Sequence, residues 1–407
     1  MDIQGLFAKR IGGASFGIRT EVYKFEKIKR AKAAASKDRP DVPLLDFGVG
    51  EPDQMAPAAV REALKAAVDD PSNRGYADNG IQEFKKAAAQ YLSTFFGVNG
   101  IDPDTGITHS IGSKPALAMI PLCFINPGDV SLVTVPGYPV LGIHTRYLDG
   151  EAVPVPLRAA SAFEPELDGI GPKTTKRAKL FYVNYPNNPT GAAPDEALFD
   201  RLIAFAAKHN ILIVQDAAYA TLVYGRKPLS ILSRPGGVEH AIELHSMSKS
   251  YNMTGWRLGF VAGNGRAVAA YSKVKDDVDS GQFKAIQHAA CAGIADRALS
   301  DSIREHYETR LGKMVKALRA VGFDARMPGG TFYLYVPAPV AAGDRAFASA
   351  EDASQYLIRK HSVSTVPWDE AGPFLRFAAT FESDGDADDD RTLAELVTRL
   401  ESAQLRW

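Results

Sequence analysis

The chain has 407 residues, 45% hydrophobic and 23% charged, with a formal net charge of −1. Its length suggests about two domains around a large core, and its near-neutral balance excludes a global electrostatic attraction to nucleic acid or membrane. There is no apolar run long enough to span a membrane, the N-terminus is too polar for a signal peptide, and Cys123 and Cys291 read as buried free thiols of a reducing compartment, so the cytosol is the expected location.

Residues 1–45 are a basic, mixed arm. Within it Lys24-Phe25-Glu26-Lys27-Ile28-Lys29-Arg30-Ala31-Lys32 spaces apolar residues for a short amphipathic helix, either a solvated face or an arm on a partner. Residues 44–49 read as a strand that runs into Gly48-Val49-Gly50-Glu51-Pro52, a turn where backbone can approach a ligand closely. Residues 57–68 look helical. From about 75 to 270, short apolar strands at 107–111, 131–135, 180–184, 211–215, 241–244 and 258–262 alternate with helices, including 115–125 and 196–209. This pattern predicts an α/β domain with a mostly parallel central sheet. Beyond 270 a long helical stretch at 284–321 precedes strands at 331–336 and 374–380, which predict a smaller α+β domain. The expected division is an arm at 1–45, a large domain at 46–285 and a small C-terminal domain at 286–407. No internal repeat is visible.

The unusual polar residues fall just beyond the C-terminal ends of the predicted strands of the large sheet, where open α/β sheets bind ligands. Lys249 in Ser246-Met247-Ser248-Lys249 is a candidate Schiff-base amine, given a pKa lowered by burial or nearby positive charge. Ser246, Ser248 and Arg257 supply hydroxyl and guanidinium donors for a phosphate. Ser113 and Lys114 add donors at a strand-to-helix turn. An aldehyde and a phosphate on one small molecule suggest pyridoxal 5′-phosphate (PLP). Asp216 is either a helix N-cap or a carboxylate for a pyridine nitrogen, and Tyr219 follows it within reach of the same ring. Asn188 is explained by turn chemistry alone but can also bond the cofactor's phenolic oxygen. Tyr138 offers a stacking face, or anchors its loop. Arg376 is a charge inside an apolar strand, on the solvent face of an edge strand or clamping a substrate carboxylate. Tyr76 carries little information alone, and no metal-binding pattern is present.

Asn188-Pro189-x-Gly191, Asp216-x-x-Tyr219, Ser246-x-Ser248-Lys249 and Gly255-Trp256-Arg257, in that order, resemble the fold-type I, class I/II PLP-dependent aminotransferases over nearly the whole chain. The resemblance implies a PLP-dependent transferase fold with Lys249 as the cofactor-bearing lysine and proton shuttle. It also implies Asp216 on the ring nitrogen, Asn188 and Tyr219 on the phenolic oxygen, and the serines and Arg257 on the phosphate. Arg376 and the Gly50 backbone would hold the α-carboxylate. Tyr76 would reach the neighbouring subunit's phosphate, which implies a homodimer with active sites at the subunit interface. The reaction implied is ping-pong transfer between an amino acid donor and a 2-oxo acid acceptor.

Within that family the chain looks most like the LL-diaminopimelate aminotransferases. Tyr23-Lys24-Phe25-Glu26-Lys27-Ile28 is similar to their N-terminal Tyr-Leu-Phe-x-x-Ile segment, and Gly112-Ser113-Lys114 to their glycine–lysine turn. The resemblance implies LL-2,6-diaminopimelate as donor, 2-oxoglutarate as acceptor, and a role in lysine and peptidoglycan precursor synthesis. Tyr23, Lys114, Tyr138 and Asn188 would touch substrate. Ser280 and Gln282 stand where the neighbouring subunit's segment is expected. A general aspartate, alanine or aromatic aminotransferase and a C–S lyase of the same fold stay open.

Overall fold

The computed structural model describes residue 1, residues 3–18 and residues 24–407. Its centre is a seven-stranded sheet in the order Ile107–Ser110, Gly259–Gly263, Ala241–Ser246, Leu212–Asp216, Ala178–Asn184, Val130–Val135, Glu151–Pro156. All neighbours run parallel except Gly259–Gly263, which is antiparallel to both of its partners. Successive side chains on a strand point to opposite faces. Phe181 and Val183 therefore enter one core, and Leu180 and Tyr182 another on the far face. Both faces are covered, so these strands are near-continuous apolar runs.

A third core lies under the three-stranded antiparallel sheet Val366–Trp368, Phe374–Ala378, Tyr333–Pro337. The helix Arg297–Ala320 packs into this core through Tyr307, Leu311, Met314 and Leu318, one stripe at helical spacing. The helix Lys24–Asp38 buries Ile28, Ala31 and Ala35 with Ile358, Val366 and Trp368, so its apolar face is satisfied within the chain.

Several expected bounds shift for physical reasons. The strand expected at 44–49 is only Leu45–Asp46, paired with Val363–Ser364, because the carbonyls of Gly48 and Val49 accept from Arg376 and Thr380 rather than from a neighbouring strand. The helix expected at 284–321 is two helices, Lys284–Cys291 and Arg297–Ala320. The second restarts at Asp296, whose carboxylate accepts from the Ala298 and Leu299 N–H groups. The expected boundary at 285/286 falls inside the helix Lys284–Cys291, whose Ala289 and Ala290 lie in a core of the large sheet. The helix expected from residue 115 begins at Ser113, with Pro115 in its first turn, where its missing N–H costs nothing. The sequence reading passes over the edge strand Glu151–Pro156, whose Pro154 is exposed, as proline in a strand must be.

The loop entering the cleft is fixed by a buried charge cluster. Arg310 contacts Asp53 Oδ2 at 3.1 Å and Asp389 Oδ1 at 2.9 Å, and donates to the Ala379 and Phe381 carbonyls. Burial alone would raise the Asp53 pKa, but the His306 hydrogen bond and the Arg310 charge hold it below the usual carboxylate value. Arg310→Met leaves two buried carboxylates without a cation and should cost about 3–5 kcal/mol in denaturant unfolding. A loss under about 0.5 kcal/mol would show the cluster to be dispensable.

Candidate active site

The strand ends converge on a cleft of about 560 Å³ between the large sheet and the smaller one. Gly50, Ser113, Lys114, Tyr138, Asn188, Asp216, Tyr219, Ser246, Ser248, Lys249, Arg257 and Arg376 all line it.

Lys249 lies in a single helical turn, Met247–Ser250, directly after the strand Ala241–Ser246, and Ser246 caps that turn by accepting from the Ser248 N–H at 3.3 Å. Lys249 Nζ donates to the Gly50 carbonyl at 2.7 Å. Burial pushes its pKa down to about 8, opposed by the Glu51 charge and assisted by Arg257 and Arg376. Gly50 must be glycine, since a Cβ there would sit 2.6 Å from the Tyr333 hydroxyl.

Asp216 ends its strand and is followed by a turn rather than a helix, which removes the N-cap alternative. Among the described residues its carboxylate accepts only from the Ala218 N–H at 3.3 Å and the Tyr182 hydroxyl at 3.4 Å, both long. Burial pushes its pKa up to about 7. This is a buried acid lining the cleft with no ion pair among the described residues.

Arg257 has a left-handed backbone, φ 59°. Its guanidinium donates to the Thr254 carbonyl at 2.7 Å and, at 3.4 Å, to Ser248 Oγ and the Ile111 carbonyl. A Cβ at Gly112, φ +78°, would stand 2.5 Å from Arg257 Nη2, so glycine makes room for the cation at the N-terminus of the helix Ser113–Phe124. Ser113, Ser246, Ser248 and Arg257 thus bring hydroxyl and guanidinium donors to one part of the cleft lining.

Arg376 lies on the central strand of its sheet and is only 3% exposed, so the solvent-facing edge alternative fails. Its Nη1 donates to Asn188 Oδ1 at 2.8 Å and its Nη2 to the Gly48 carbonyl at 3.1 Å, and its plane lies 4.0 Å from the Tyr333 ring centre. Among the described residues its buried Nε–H has no acceptor. Because Oδ1 of Asn188 is taken, the amide N–H₂ is the end available to the cleft.

The predicted site residues do not all meet here. Tyr76 is 79% exposed and Ser280 is exposed, both outside this cleft. Gln282 also lies outside it, its amide bonded to the Trp256 and Arg257 carbonyls. Tyr23 lies outside the described residues. Sequence reasoning missed Tyr333, Asn184, Glu51, Thr254 and Phe25, which line the cleft. Asn184 donates to the Asp216 carbonyl at 2.7 Å and accepts from the Asn188 N–H at 2.9 Å, joining two predicted residues. Its signal is an amide at a strand end, while Tyr333 inside an apolar run carries none.

Residues 42–393 match the family model for aminotransferase class I and II. The chain is 52% identical over 404 residues to an LL-diaminopimelate aminotransferase of Methanococcus maripaludis, covering 98% of this chain and 97% of that one. It is 50% identical to the enzyme of the same name from Methanocaldococcus jannaschii, over 100% and 99% of the two chains. Similar solved structures include substrate-bound BacF from Bacillus subtilis (30% identity, TM-score 0.86, 96% and 97% coverage). Another is a probable N-succinyldiaminopimelate aminotransferase from Thermus thermophilus (28% identity, TM-score 0.84, 94% and 100% coverage). The chain belongs to the class I and II aminotransferases and is a PLP-dependent transaminase. The cleft fits that cofactor, with a buried acid held by only long hydrogen bonds among the described residues, a lysine of lowered pKa, and serine and arginine donors gathered at a helix N-terminus.

The raised acid has a consequence for the cofactor-free protein. Below pH 3.8 Asp216 is protonated in both folded and unfolded states; between that value and about 7 only the folded state holds the proton, so stability falls as pH rises through this window. Asp216→Asn should therefore stabilise the apoprotein at pH 8, by up to about 4 kcal/mol, and change little at pH 4. Denaturant titrations at the two pH values measure this, and an equal effect at both would rule out the carboxylate's ionisation as its source.

Proposed function

We propose that this enzyme transfers the amino group of LL-2,6-diaminopimelate to 2-oxoglutarate, in lysine and peptidoglycan precursor synthesis. The observation that carries the chemistry is Lys249, desolvated and held on the Gly50 carbonyl, in a cleft that Asp216 and Arg376 also line. The substrate rests on the full-length likeness to diaminopimelate aminotransferases at 50–52% identity.

PLP, when bound, supplies an electron sink for the carbanion formed at the substrate's Cα. Lys249 would hold it covalently through Nζ, Asp216 would pair with its ring nitrogen, and Asn188 and Tyr219 would bond its phenolic oxygen. Tyr138 would stack on the ring. Ser113, Lys114, Ser246, Ser248 and Arg257 would hold its phosphate. Arg376 binds the donor's α-carboxylate, using the Nε–H that lacks an acceptor. The Gly50 backbone helps position that carboxylate. Once free, the Lys249 amine accepts and returns the Cα proton, and a pKa near 8 suits a base working near neutrality. A donor with two amino acid ends also needs a second ammonium and carboxylate recognised. Glu51 and Lys114, of opposite charge and both exposed at the cleft, supply that pair, with Tyr23 as a further contact.

The working unit is read as a cytosolic homodimer. Exposed Tyr76 and the segment holding Ser280 suit a role in the neighbouring subunit's cleft. The two cysteines are unpaired, in keeping with a reducing compartment. Among the described residues no helix is long and apolar enough to cross a membrane.

Donor turnover with 2-oxoglutarate, comparing LL-diaminopimelate, aspartate, alanine and phenylalanine, tests the substrate, and LL-diaminopimelate should give the highest kcat/KM. A preference for another donor refutes that assignment, and release of pyruvate or sulfide in place of glutamate would favour a lyase. Arg376→Ala should raise KM for every donor about tenfold to hundredfold, the cost of a charge-assisted carboxylate contact. Lys249→Ala should abolish turnover and the visible absorbance of bound PLP.

A further inference from the structure

We propose that Gln282 is a positioning residue for the cofactor's phosphate, acting through Arg257 of its own chain; this rests on the reading of Arg257 as a phosphate anchor. One amide nitrogen bridges two consecutive carbonyls: Gln282 Nε2 donates to Trp256 O at 2.6 Å and to Arg257 O at 2.7 Å. These flank the residue whose left-handed backbone aims its guanidinium into the cleft. A non-glycine residue holds that conformation only when its surroundings fix it. Both amide hydrogens are used there, so Oε1 is the end that meets His109 Nε2 at 3.0 Å, and His109 is the donor. His109 is fully buried, and burial with the Lys275 charge pushes its pKa down to about 4, so the donor is a neutral imidazole.

The segment bearing Gln282 is itself tied down. Lys275 Nζ donates to Asp279 Oδ1 and to the Asp78 carbonyl, both at 2.6 Å, and the Gly281 N–H donates to Asp279 Oδ1 at 2.8 Å. Gln287 Nε2 donates to the Gln282 carbonyl at 3.0 Å. Gln282 is thus a rigid strut from the helix Lys284–Cys291 to the Arg257 turn.

The test separates phosphate from ring. Gln282→Met keeps the length and removes the donors; Gln282→Glu keeps the shape and sets a carboxylate against two carbonyls, and carries the same readout if the Met variant folds poorly. Binding of PLP and of pyridoxal, which lacks the phosphate, is titrated by absorbance on the apoproteins, with apoprotein Tm measured alongside. The expected result is a PLP Kd raised about tenfold, from the lost hydrogen bonds, with pyridoxal affinity changed by less than about twofold. Equal weakening of both ligands, or an unchanged PLP Kd, overturns the proposal. Arg257→Ala run in parallel shows which claim failed: if it too leaves PLP affinity intact, the phosphate reading is wrong; if it alone weakens PLP, only the role of Gln282 is.

Discussion

The contact on which the site depends is the hydrogen bond from Lys249 Nζ to the Gly50 carbonyl. It joins the turn after the central strand Ala241–Ser246 to a loop held by the smaller sheet. The loop cannot drift, because three successive carbonyls each have a partner: Gly48 accepts from Arg376, Val49 from Thr380 and Gly50 from Lys249. Asp53, a few residues on, is locked to Arg310. A partly desolvated ammonium needs an acceptor, and a carbonyl stabilises it less than a carboxylate would. The amine is therefore kept in place without being locked in its charged form.

Burial acts in opposite directions on the two key ionisable groups. It pushes Lys249 down to about 8 and Asp216 up to about 7, favouring the uncharged form of each. Two buried clusters elsewhere are paired within the chain. Arg310 meets both Asp53 and Asp389, and Glu243 accepts from Ser230 beside His245. Paired clusters hold structure. In the cleft the Asp216 carboxylate has only long hydrogen bonds, at 3.3 and 3.4 Å, which is why we propose it as the partner of a pyridine nitrogen.

Much of this was legible in the sequence because the signals were positional. Asp216, Asn188, Lys249 and Ser113 follow apolar runs, and the strand period placed them at one edge of a sheet before any contact was known. Arg376 stood out as a charge among Phe374, Leu375 and Phe377. Pairing was not legible. Nothing in residues 258–262 says that Gly259–Gly263 inserts antiparallel between Ile107–Ser110 and Ala241–Ser246. Tyr333 reads as one more core aromatic, since its function lies in what it faces across the chain: the Arg376 plane and, at 3.1 Å, the Tyr219 hydroxyl. Gln282 was singled out by family position as a contact from a neighbouring subunit. Its hydrogen bonds within the chain depend on a fold that brings residue 282 against residues 256 and 257, which no local pattern encodes.

The same contrast separates chemistry from selectivity. Lys249, Asp216 and Arg376, the groups proposed for the reaction, sit at strand ends or in a strand centre with hydrogen-bond partners from the chain. Glu51 and Lys114 are exposed at the cleft, and Phe25 reaches it from the second residue of the helix Lys24–Asp38. That helix is anchored through Ile28, Ala31 and Ala35 against Ile358, Val366 and Trp368. Lys249 and Arg376 are held by the Gly50 and Gly48 carbonyls and by Asn188, and Asp216 by Ala218 and Tyr182, whereas Glu51 at the rim acts on Lys249 through its charge alone. In the proposed reading, the reaction and the choice of substrate rest on different mechanical supports: the first on buried sheet, the second on the exposed rim of the cleft.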